Sequence, residues 1–285
     1  MTERETPRKA SAEPSTTSAA TPSDTEHRPI LGVMLRCHVR YRSLDIVLAE
    51  LRRYHREMGI DVRICAMLDR ASPDVQDCVE GHFAKHLAAG GRTLYIEAPR
   101  RQLDAEGEHF MEGLSRQMDF MEDAWPDMDW VFAADDDRTF EPVKITEELP
   151  RALADDSKDV YFCRSLFFWD DSTKFNTSRQ HDSALLYRFK PGYRWSGNRM
   201  LNVPDALYDQ AVMEGRVGTI STPLFDWGTL TADDRLRVYT AFSVAGKLDA
   251  YVRSIYDTPA LLRFPDDFSP NYGRWRDLWK ERWGG

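Results

Sequence analysis

The sequence predicts an α/β fold with a mostly parallel sheet, helices on both faces and a C-terminal helical extension. Three observations carry this: short apolar runs alternate with helical patterns from residue 30 to residue 134, acidic residues close two of those runs, and a helical pattern returns from Thr231. Strands that alternate with helices imply parallel strands joined by crossover helices, which cover the sheet on both sides.

Each element has its own signal. Ile30 to Leu35 is an apolar run, the first strand, and the polar stretch Arg36 to Arg42 follows it. Leu44, Val47, Leu48, Leu51, Tyr54 and Met58 then recur at three- and four-residue intervals, with Ser43 placed as N-cap and Gly59 as the stop. The unit repeats: Val62 to Leu68 is a strand ended by Asp69, Ser72-Pro73-Asp74 opens a helix through Val75, Val79, Phe83 and Leu87, and Gly90-Gly91 closes it. Thr93 to Ile96 is a third strand, Phe110, Leu114, Met118 and Met121 mark a third helix, and Trp130 to Ala134 is a fourth strand. Beyond Pro142 the alternation breaks down. Val160 to Cys163 and Ala184 to Phe189 read as strands, and between them Phe168 to His181 reads as a long loop, a length more often functional than not.

Composition narrows the class. The chain has 285 residues and a formal charge of −9, which argues against a nucleic-acid binder that relies on a basic face. Residues 1 to 28 are rich in Thr, Ser, Pro, Ala and Glu and hold no Phe, Trp or Tyr, a composition that predicts a disordered tail. They lack the apolar core of a secretory signal, and no later run approaches the length of a membrane span. Cys37, Cys65, Cys78 and Cys163 form no C-x-x-C pair and read as reduced, mostly strand-borne thiols. The expected setting is cytoplasmic.

Asp135-Asp136-Asp137 follows the fourth strand directly. Two like charges about 4 Å apart repel by roughly 4 kcal/mol at an effective dielectric of 20, so such a triplet needs a counter-charge or full solvation. In doubly wound sheets ligands bind at the carboxyl ends of the strands, where Asp69 and the triplet both fall. A divalent cation shared with a phosphate ligand is the expected occupant; a solvated acidic turn is the bland alternative.

On these segments, over roughly residues 29 to 260, the chain resembles the GT-A-fold glycosyltransferases, particularly the family-two-like set that uses nucleotide sugars. The resemblance implies a nucleotide-sugar-binding half at 29–141, an acceptor-binding half at 142–230 and a helical extension at 231–285. Asp69 is similar to the family's aspartate that reads the uracil or ribose. Asp135-Asp136-Asp137 looks like its D-x-D motif, the first acid facing the ribose and the last holding Mn2+ or Mg2+, with Asp136 beside the nucleotide. Trp169-Asp170-Asp171 is similar to a tryptophan-aspartate loop of bacterial members. Asp226-Trp227-Gly228 stands where many relatives have histidine, aromatic and glycine, and an aspartate there is a candidate oxygen ligand for the metal or a surface acid.

The implied donor is a UDP-sugar, and the acceptor is open among glycans, lipid-linked sugars, proteins, small molecules and modified nucleobases. Arg36, His38, Arg40, Arg100 and Arg101 either line the nucleotide pocket or are solvated loop residues. If the reaction inverts the sugar, Asp170, Asp171 and Asp182 are the candidate bases, with turn and capping roles as the alternative. Trp169 and Trp195 either stack on a sugar or pack internally. Two other functions compete. A sugar nucleotidyltransferase is disfavoured by the lone Gly32, where a glycine-rich phosphate loop is needed. A non-catalytic binding module is disfavoured by the intact acid triplet.

Overall fold

A computed structural model of the protein describes residues 28–37, 41–68, 71–98, 108–169, 171–196, 202–228 and 261–263, with single positions at 230, 232, 235, 236 and 239. The expected tail therefore lies almost wholly outside the described residues.

Strand β1 (Ile30–Cys37) is central and buried along nearly its whole length, as a strand covered on both faces must be. Its side chains divide by the period of two. Leu31, Val33, Leu35 and Cys37 join a cluster with Leu44, Val47, Leu48 and Leu51 of α1 (Tyr41–Glu57) and Val75, Val79 and Phe83 of α2 (Pro73–Ala88). Met34 faces the other way, onto Met111, Leu114, Met118 and Met121 of α3 (Glu108–Ala124). Each buried Val, Leu or Ile on these faces contributes roughly 1.5–3 kcal/mol. Gly32 also faces α3. A Cβ there would meet the side chains of Met128 and Met121, so this glycine serves close packing.

Strands β2 (Asp61–Leu68), β3 (Arg92–Glu97) and β4 (Trp130–Asp135) complete a parallel half, as the strand-helix alternation predicts. Gly59, with φ 67°, follows α1 in the left-handed conformation expected of a helix stop. Two boundaries differ from expectation. β1 continues two residues past its apolar run because Arg36 and Cys37 still pair with β2. α1 then starts at Tyr41, so Ser43 lies inside the helix, buried, and is not its N-cap.

The second half departs further. The sheet order is β3-β2-β1-β4-β7-β6-β8-β5, with β5 (Arg138–Phe140), β6 (Val160–Trp169), β7 (Asp171–Arg188) and β8 (Val217–Asp226), while β9 (Leu261–Arg263) pairs with β7. β7 runs antiparallel to β4, β6 and β9, and β5 runs antiparallel to β8. The sheet is therefore mixed, in place of the mostly parallel sheet expected. Of the stretch 168–181, expected as a loop, residues 168–169 and 171–181 are strand, the distal part of the β6–β7 hairpin. Three register shifts in that hairpin break the alternation that would have marked it as strand. Helices α4 (Ile145–Ala154) and α5 (Asp205–Met213) pack on opposite faces, α4 with α1 and α2 and α5 with α3. Positions 232, 235, 236 and 239 are helical, at the start of the expected extension; most of 231–285 lies outside the described residues.

Candidate active site

The site is built where β1 and β4 end side by side. Arg36 and Asp135 are register partners in the parallel ladder. They share a face, and the Arg36 guanidinium donates to Asp135 Oδ1 and, at 3.3 Å, to Asn202 Oδ1. Alternation sends the next residue, Asp136, to the opposite face, where it is 2% exposed. Its charge adds to burial, the larger cause, in pushing the Cys37 thiol pKa well up. That thiol stays protonated and is a packing residue.

The chain turns at Asp136-Asp137 and enters β5, which pairs with β8 so that Arg138 lies opposite Asp226. Arg138 thereby reaches three carboxylates. One terminal nitrogen is 3.1 Å from Asp135 Oδ2, and its Nε lies 3.2 Å from Asp226 Oδ2 and 4.0 Å from Asp137 Oδ1. Burial alone would lower the guanidinium pKa, but the charges of Asp135 and Asp226 outweigh it and leave it raised. Asp226 Oδ1 accepts the Gly228 N–H at 2.9 Å, and the Asp137 carbonyl accepts the Trp227 N–H at 2.7 Å. The Trp227 indole donates to Thr139 Oγ1 at 2.9 Å and its ring lies 4.5 Å from that of Phe168. Asp226-Trp227-Gly228 is thus fastened to the acidic triplet by backbone, side chain and ring. Sequence reasoning missed Arg138, although it directly follows the triplet, and missed that Arg36 pairs with Asp135.

Among the described residues, four carboxylates (Asp135, Asp136, Asp137 and Asp226) gather around two guanidinium groups (Arg36 and Arg138). Hard oxygen donors of this kind suit Mg2+ or Mn2+. Their spacing is a different matter, because the donor atoms of Asp135, Asp137 and Asp226 do not converge to within 4.8 Å of one another. Asp45, Cys78 and His82 do, between α1 and α2. There His82 Nε2 meets Asp45 Oδ1 at 2.8 Å and its Nδ1 meets Arg52 at 3.3 Å, so both ring nitrogens are engaged in pinning the helices together.

The remaining sequence-derived candidates fall into two groups. His38, Arg40, Asp69, Arg100, Arg101 and Asp170 lie outside the described residues. Asp171 opens β7 opposite Trp169, at the end of β6. That end belongs with the acid cluster, since Phe167 of β6 is level with Asp226 of β8. Asp182 lies lower, opposite Arg164, and forms an exposed ion pair with it at 2.9 Å. Trp169 is 5% exposed, with the Arg235 guanidinium 4.8 Å from its ring, and Trp195 is packed in the core near Tyr187. Among the described residues no helix is long and apolar enough to cross a membrane.

No family model matches the chain, and no curated protein does. Among solved structures it is similar to TarS of S. aureus, with 11% identity and a TM-score of 0.43 over 79% of this chain and 39% of that one. It is also similar to the mannosyltransferase PcManGT of Pyrobaculum calidifontis in complex with GDP-Man and Mn2+, with 11% identity and a TM-score of 0.47 over 78% and 66%. A third is glucosyl-3-phosphoglycerate synthase of Mycobacterium tuberculosis with Mn2+, UDP and glucosyl-3-phosphoglycerate, with 13% identity and a TM-score of 0.41 over 78% and 82%. This chain spans less than two thirds of the length of the first two. At likenesses this loose, the functional reading rests on the chain's own residues.

Proposed function

We propose that the protein is a metal-dependent glycosyltransferase of the GT-A type that moves a sugar from a nucleotide donor, a UDP-sugar, to a hydroxyl acceptor. The observation that carries this is the gathering of the hard oxygen donors of Asp135, Asp136, Asp137 and Asp226 at the carboxyl ends of β4 and β8. Such a site attracts a divalent cation, and a diphosphate is the ligand such a cation brings.

In this reading Asp137 is the principal metal ligand, Asp135 and Asp226 assist it, and Asp135 also faces the ribose. The metal, when bound, would stabilise the charge that develops on the departing diphosphate. Arg36 holds Asp135 in place, and Asp69, His38, Arg100 and Arg101 complete the nucleotide side. If the reaction inverts the sugar, the base belongs at the end of β6, where Asp170 and Asp171 follow Trp169. Asp182 is the weaker candidate, being paired with Arg164 below that level.

Calorimetric titration with UDP, with and without Mn2+, tests the site. Binding is expected to need the metal and to weaken at least tenfold, about 1.4 kcal/mol, in Asp137→Ala. Unchanged binding in that variant removes Asp137 from the metal.

A further inference from the structure

The carboxylates assigned to a metal already hold a cation, the guanidinium of Arg138. Both oxygens of Asp135 are engaged, Oδ1 by Arg36 and Oδ2 by Arg138 at 3.1 Å. Both oxygens of Asp226 are engaged too, Oδ1 by the Gly228 N–H at 2.9 Å and Oδ2 by Arg138 at 3.2 Å. Arg138 Nε also lies 4.0 Å from Asp137 Oδ1, so the guanidinium stands between the three acids, which do not converge on a common point. A divalent ion that takes oxygens from all three must draw them inward, to about 2.0–2.1 Å for Mg2+. That space belongs to Arg138.

We propose that Arg138 and a divalent cation are alternative occupants of the Asp135–Asp137–Asp226 cluster, so that metal loading requires the guanidinium to leave Asp135 and Asp226. The inference rests on the metal-site assignment given under the proposed function and adds an intramolecular competitor to it. The exchange has a physical basis on both sides. Without metal, the positive charge of Arg138 relieves the repulsion among the clustered, largely buried carboxylates. With metal, two positive charges replace one, and the released guanidinium stays beside the place where diphosphate oxygens would ligate the ion. The cost of displacing Arg138 is subtracted from the intrinsic metal affinity, as for any ligand that must displace an internal competitor.

The test is Mn2+ binding itself, read from the loss of the free-ion electron paramagnetic resonance signal, in the full-length protein and in Arg138→Gln and Arg138→Lys. Removing the competing charge is expected to tighten Mn2+ binding at least tenfold in Arg138→Gln, while Arg138→Lys, which keeps a cation, stays near wild type. Equal or weaker binding in Arg138→Gln overturns the competition and leaves the metal site standing. Failure of every protein to bind Mn2+, with or without UDP, overturns the metal site and the competition with it. Should Arg138→Gln not fold, the wild type decides: the Arg138 Nε–H resonance is expected to shift as Mg2+ saturates the site, and a resonance that stays in place overturns the exchange.

Discussion

Arg138 lies within 4.0 Å of three acids from two strands and a turn because β5 pairs with β8 there, and this placement is what would make it the rival of a metal under the proposal above. At this scale the aspartates are not equivalent. Asp135 and Asp226 hold Arg138 directly, whereas Asp137 Oδ1 lies 4.0 Å from it. Asp137→Ala is expected to lose metal-dependent UDP binding while remaining folded, and calorimetry beside thermal melts checks both halves. Asp226→Asn keeps the shape but removes a charge that raises the Arg138 pKa. The strand end is legible in the sequence, because the triplet follows an apolar run, whereas Asp226 is singled out only through the family resemblance of Asp226-Trp227-Gly228. The Arg36–Asp135 pair is not legible. It depends on register between strands nearly a hundred residues apart, which no local pattern encodes.

Elements differ in how far their own residues define them. The helices α1, α2 and α3 each carry one apolar stripe, and the strands β1, β2 and β4 are near-continuous apolar runs, so period and run length identify them. The β6–β7 hairpin offers neither signal. Buried Asn176 and buried Ser165 interrupt it, and its bulges swap the faces of successive residues, so the polar stretch reads as loop until the pairing with β6 and β9 is seen. Trp227 is the element-scale lever on the site. It is 2% exposed, bonded to Thr139 and set with its ring 4.5 Å from that of Phe168, and it fastens the end of β8 to β5. Trp227→Ala is expected to cost about 3–5 kcal/mol in urea unfolding through the cavity left behind. A loss under 1 kcal/mol would show that the fastening is weaker than its contacts imply. Gly91→Ala tests the other half of the sheet. A Cβ at 91 would run into the His86 ring, which is fixed by a 2.8 Å hydrogen bond to the Val62 carbonyl, and a loss of about 1–3 kcal/mol is expected.

For the whole molecule, the sheet joins a parallel half to a mixed half, and one buried carboxylate ties the second half together at the ends of strands remote from the site. Asp159, 1% exposed, accepts from Arg216 at 2.8 and 3.0 Å and from Lys190 at 3.0 Å, linking the starts of β6 and β8 to the segment after β7. The Arg216 hydrogen bonds, with Lys190 reinforcing them, hold the Asp159 pKa down to about 2. Because the folded pKa lies below the unfolded one, the stabilisation is complete above the ordinary aspartate range and is lost as pH falls from about 4 to about 2, a change of roughly 2 kcal/mol. Urea midpoints measured across that window should fall in the wild type and fall less steeply in Asp159→Asn; parallel slopes would remove Asp159 from the acid response.

The mixed topology also shows why the overall class was readable and the strand directions were not. Alternation of strands with helices fixes direction in the first half, but in the second a long hairpin replaces a crossover, and composition does not distinguish the two. What both halves share is the edge where β1, β4 and β8 end, the edge proposed to work on a nucleotide sugar. Incubating the full-length protein with a panel of nucleotide sugars, with and without Mn2+, tests it most directly. Slow release of free nucleoside diphosphate, dependent on the metal and strongest with a UDP-sugar, is the predicted result. Release of pyrophosphate, or no turnover of any donor across a panel of hydroxyl acceptors, would contradict it.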